Sequence, residues 1–117
     1  MKHGIFRIFK VMKFSYSGLK YLWKEEAFRQ EVVLVAIAFG VLYYMGASCQ
    51  DLAIFGGLSL AMFSAEAMNT GLERIADKID SSINPFTKEV KDLGAVGVFF
   101  WIILTVGWAL YVLSKLI

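Results

Sequence analysis

At 117 residues the chain has room for one domain, and 58% hydrophobic residues with a mean hydropathy of +0.62 exceed the apolar usage of soluble domains, which is roughly 45–50%. A net charge of +2, with basic residues bordering apolar stretches rather than gathered on one soluble face, sets nucleic acid aside as a partner. One cysteine, Cys49, and one histidine, His3, make neither a disulfide nor a soft-metal cluster, which leaves hard cations on oxygen ligands.

In chain order, the first thirty residues carry Lys and Arg throughout and hold no uninterrupted apolar run. No cleavable signal peptide is expected, and the mature chain is expected to begin near Met1. Ile5, Ile8, Phe9, Met12, Tyr16, Leu19 and Trp23 keep near-helical spacing, with Lys10, Lys13, Lys20 and Lys24 on the flank. Residues 1–27 therefore read as an amphipathic helix on the membrane surface, drawn to anionic lipid and bent at Gly18. Three apolar stretches then reach the ~20 residues needed to cross a ~30 Å hydrocarbon core: approximately 30–48, 52–74 and 93–115. The runs are continuous and do not alternate, so a β-barrel is excluded. The expectation is a single all-α membrane domain over residues 1–117.

Seven Lys and Arg residues precede the first span, none lies between Gly46 and Asp51, four lie between spans two and three, and Lys115 stands alone at the end. This bias predicts a cytoplasmic N-terminus and an external C-terminus. The segment from Asp80 to Lys91, holding the single proline Pro85, reads as a cytoplasmic loop.

Val32 to Gln50 and Leu93 to Ser114 hold no charged residue, and Leu52 to Leu72 holds one, Glu66. An ionisable group there costs about 2.5–3.5 kcal/mol on insertion scales, which makes it a functional candidate. On a helical wheel, Asn69, Glu73, Asp77 and Asp80 fall with Glu66 in an arc of about 80°, a stripe climbing from the membrane to the cytoplasmic surface. In the bland reading, Glu73, Asp77 and Asp80 are a solvated helix end paired with Arg74, Lys78 and Lys88. Carboxylates with no His or Cys beside them suit Mg²⁺, usually held by one or two carboxylates and substrate phosphates, and this points to a nucleotide. Glu25 or Glu26 offers a further ligand at the same depth, and Lys91 and Asp92 return the chain to it. No Walker-type phosphate cradle is present. A proton-coupled exporter would need only Glu66, and an assembly subunit only the small face of Gly57, Ala61 and Ala65.

FRQE at Phe28 to Glu31, AEAMNTGLERIADKI at Ala65 to Ile79 and KDLGA at Lys91 to Ala95 resemble the small prokaryotic diacylglycerol kinases, a membrane family that includes the undecaprenol kinases. The second stretch resembles the family's E-x-x-N-(S/T)-x-x-E-x-x-x-D signature. The third resembles its KD-x-(G/A) start of the last span, and with equal spacing the resemblance covers nearly the whole chain. It implies a homotrimer of the bacterial inner membrane that phosphorylates a lipid hydroxyl with MgATP in sites shared between protomers. By position it implies that Glu66 is the general base and that Glu73 and the glutamate before span one are metal ligands. Lys91, Asp92 and Arg7 become nucleotide contacts, with Asn69 and Asp77 further polar positions of that site. Phe28, Arg29, Gln30 and Glu31 become the lipid-substrate region. Counting back from FRQE selects Glu25 as the metal ligand, whereas counting forward from Ser17-Gly18-Leu19 selects Glu26; we take Glu25. Phe14 stands where the family often has Tyr, and SSINPFTKEV departs from its usual His-containing loop. Ala95 replaces a serine of many diacylglycerol-specific members, while FRQE favours diacylglycerol over undecaprenol.

Overall fold

The computed structural model describes residues 2–82 and 84–117, with side chains from Gly4 onward. The expectations about Met1, the His3 side chain and Ile83 fall outside the described residues. Four helices follow one another: α1 Lys2–Trp23, α2 Glu26–Tyr44, α3 Cys49–Ile79 and α4 Pro85–Leu116. The last three are long and apolar enough to cross a membrane.

α1 runs through Gly18 without a break, since one glycine inside a helix costs only about 1 kcal/mol. It ends at Trp23, an aromatic residue suited to the membrane–water boundary. There Lys24 N–H and Glu25 N–H donate to Tyr21 and Leu22 carbonyls, tightening the last turn, and Glu25 adopts an extended conformation that starts α2. Leu22 is the one buried side chain of α1 among those described.

α2 ends in a hydrogen-bonded glycine cap: Gly46 N–H donates to Tyr43 O and Ala47 N–H to Leu42 O. The Gly46 φ of +97° is one that a residue without Cβ adopts freely. Ser48 then caps α3, its Oγ accepting from Asp51 N–H at 3.1 Å. α2 and α3 are thereby antiparallel neighbours across a tight turn.

The connection from α3 to α4 is shorter than the Asp80 to Lys91 loop expected from sequence. Pro85 occupies the first turn of α4, where its missing N–H is no loss. The Asp80 carboxylate accepts from Ser82 N–H, Ser82 Oγ–H and Asn84 Nδ2–H at 2.6–2.9 Å. Asn84 Oδ1 in turn accepts from Thr87 N–H and caps α4.

α3 and α4 pack along their length, while α2 touches them over a smaller area. At the end away from this loop, Leu42, Leu52, Phe55 and Val112 form a buried cluster. Trp108 Nε1–H donates to Asp51 O, and Lys115 Nζ pairs with Asp51 Oδ2 at 2.9 Å.

Candidate active site

One face of α3 carries the stripe from inside to outside. Glu66 and Asn69 are 7% and 8% exposed, Glu73 is half-buried and Asp77 is exposed. Such a face can act on a group at the membrane boundary with its inner end and on a soluble ligand with its outer end.

At the inner end, Glu31 from α2 brings its carboxyl within hydrogen-bonding reach of that of Glu66. Its Oε2 is buried with no partner. Below Glu31 an apolar groove of about 400 Å³ runs between α2 and α4, lined by Leu34, Val35, Ala38, Ile102 and Val106. From sequence Glu31 belonged only with FRQE; its place opposite Glu66 depends on how α2 crosses α3, which no spacing reveals.

One turn outward, Asn69 Nδ2–H donates to Glu73 Oε1 at 3.2 Å, while Asn69 Oδ1 is buried without a partner. The carboxamide lies against Gly94 of α4, and a Cβ there would collide with Asn69 Oδ1.

The ion pairs differ from the expected solvated helix end. Arg74 bonds Glu25 at 3.1 Å rather than a carboxylate of its own helix, Lys91 bonds Asp77 at 2.5 Å, and Lys88 bonds Asp92 at 2.6 Å. Asp80 is taken up by Ser82 and Asn84 and has left the stripe. The helix ends at Ile79, and beyond it the wheel no longer sets direction. Solvent-exposed pairs of this kind are screened and weak, so a polyphosphate or a cation displaces them at little cost. Arg74 was not among the candidates; a basic residue directly after Glu73 was the available signal.

Of the two glutamates before the first span, Glu25 turns toward α3 through Arg74, whereas Glu26 accepts from Gln30 Nε2 on its own helix. Among the described residues no three His, Cys, Asp or Glu side chains gather as a metal cluster. Glu73, bonded by Asn69, and Glu25, reached through Arg74, offer carboxylate oxygens on the outer part of this face. Such oxygens suit a hard cation whose other ligands are phosphate oxygens and water.

The remaining candidates are spread. Phe28 is buried and packs edge-to-face on Trp23 and Phe63. Arg29 donates to the Trp23 carbonyl at the end of α1. Ala95 is exposed on α4. Arg7 is exposed on α1 beside Lys10 and Lys13, with no hydrogen bond or ion pair to the stripe among the described residues. A cleft of about 390 Å³, lined by Ser15, Leu22, Thr70 and Arg74 among others, separates α1 from the outer part of α3.

The chain matches the family model described as prokaryotic diacylglycerol kinase over residues 13–113. It is 33% identical over 109 residues to a diacylglycerol kinase of Sinorhizobium sp, an alignment covering 93% of this chain and 80% of the relative. Against the diacylglycerol kinase of Helicobacter pylori it is 32% identical over 119 residues, covering 95% and 88%. Against that of Escherichia coli it is 29% identical over 104 residues, covering 88% and 85%. The family match takes in every candidate from Glu25 to Ala95 and leaves out Arg7.

Proposed function

Because this chain belongs to the prokaryotic diacylglycerol kinase family and is a membrane lipid kinase, we propose that it transfers the γ-phosphoryl group of MgATP to the hydroxyl of diacylglycerol, giving phosphatidic acid. The observation that carries this reading is the continuous face from buried Glu66 to exposed Asp77, with Lys91 of α4 at its outer end.

In this reading Glu66 accepts the proton of the lipid hydroxyl, which lies at the boundary where Glu66 is held. Glu31, opposite it at the head of the apolar groove, orients that hydroxyl. Glu25 and Glu73 would hold Mg²⁺, which when bound offsets the charge of the β and γ phosphates. Asn69 orients the Glu73 carboxylate through its Nδ2–H. Lys91, released from Asp77, faces the transferred group, while Asp92, Asp77 and Arg7 serve the rest of the nucleotide. Arg29 and Gln30 present donors to glycerol and ester oxygens, groups that an isoprenoid alcohol lacks, and Phe28 and Ala95 complete the lipid side. The protein sits in the bacterial inner membrane with its N-terminus cytoplasmic and its C-terminus outside. It works as a homotrimer with sites shared between protomers, which would bring Arg7 to a neighbour's stripe.

The test is purified protein in detergent with labelled ATP, offered diacylglycerol and undecaprenol separately. A site that hydrogen-bonds a polar group disfavours analogues lacking it, so kcat/KM is expected to be higher for diacylglycerol, with Gln30→Ala narrowing the gap. A clear preference for undecaprenol, in line with the absent hydroxyl at Ala95, would move the chain to that branch.

A further inference from the structure

Ten glycines are present, and among the described residues Gly94 is the only one whose missing Cβ is occupied by another group; at the others a Cβ would meet no described atom within 4 Å. What fills the space is the carboxamide of Asn69, 8% exposed, with its oxygen unpartnered and its Nδ2–H on Glu73. A buried amide with one end orphaned keeps that position only where packing holds it. Here the packing is the bare backbone of α4 at Gly94, beside Leu72.

We infer that Gly94 is a positioning residue of the active site: by leaving room for the Asn69 carboxamide between α3 and α4, it aims Asn69 at Glu73 and so sets the direction of the Glu73 carboxylate toward a divalent cation. The inference rests on the metal role proposed for Glu73. Gly94 touches neither substrate nor metal and acts through Asn69. An alanine at 94 must push the amide aside and break its bond to Glu73.

The test pairs metal binding with a double-mutant cycle. Mn²⁺ binding in the presence of a non-hydrolysable ATP analogue, read by electron paramagnetic resonance, is measured for wild type, Gly94→Ala, Asn69→Ala, the double variant and Gly97→Ala. Partners that orient a metal ligand typically contribute about 10–100-fold in metal affinity. A loss of that size is expected for Gly94→Ala and for Asn69→Ala. The double variant is expected to match Asn69→Ala alone, because Gly94 has no other route of action. Gly97→Ala, one turn along in open space, is expected to bind like wild type. Melting temperatures of the metal-free proteins keep the test usable if Gly94→Ala folds poorly: the loss is expected to be recovered in the double variant, where the collision is gone. Wild-type metal affinity in Gly94→Ala, additive losses in the double variant, or unrecovered melting would overturn the inference alone. Failure of wild type to bind the metal–nucleotide pair would overturn the kinase site on which it rests.

Discussion

Burying Glu66 costs free energy that a serine or threonine at the same place would not. A base for a lipid hydroxyl gives that cost a use. Glu66→Gln keeps the shape and removes the basic oxygen, so transfer is expected to fall by about 10²–10⁴-fold, the usual span for a general base. The melting temperature should not change; a variant of wild-type-like rate would end the assignment. Glu25 and Glu26 are neighbours in sequence but have different partners, Arg74 on α3 and Gln30 on α2. Glu25→Gln and Glu73→Gln are expected to raise the Mg²⁺ concentration at half-maximal rate, and Glu26→Gln to raise it less. The reverse order in a magnesium titration would place the metal ligand at Glu26.

At the level of helices, the Asp80–Asn84–Thr87 relay joins the end of α3 to the start of α4. The Ser82 hydroxyl and amide, with the Asn84 amide, hold the Asp80 carboxyl below its ordinary value of 3.8. Because the folded-state pKa is depressed, this stabilisation is fully present above the ordinary aspartate range and is lost only as pH falls through the lowered value. Wild-type amide protection at Ser82 and Thr87 should therefore hold throughout mildly acidic conditions. Asp80→Asn should lose it already at neutral pH, and equal protection in the two proteins by hydrogen exchange would deny the relay its role. These bonds also mark what the sequence makes legible. The spans show as long apolar runs, and the stripe keeps helical phase from Glu66 to Asp77. Pro85 looked like loop because proline breaks helix interiors, while as a first-turn residue behind Asn84 it begins one. The partners of Arg74, Lys91 and Glu31 depend on the register between helices, a property of packing that one helix's phase does not contain.

Taken whole, the molecule extends 50 × 44 × 22 Å. α1, about 33 Å long at 1.5 Å per residue, is exposed along almost its whole length. The membrane surface is its natural cover. The candidate site is divided accordingly: Glu25 and Glu31 come with the lightly held α2, the remaining candidate carboxylates with the α3–α4 pair. That pair is braced at both ends, by Asp80 and Asn84 at one and by Asp51, Trp108 and Lys115 at the other. Contiguous units of this kind often behave as single cooperative blocks in partial unfolding. The order in which the protein is made is therefore not expected to be the order in which it becomes stable: the first half to be synthesised should wait for the second, with α2 gaining its place only after α3 and α4 have closed on each other. Amides of α3 and α4 should be the last to exchange and those of α1 the first; early protection of α1 and α2 ahead of the pair would reverse that order.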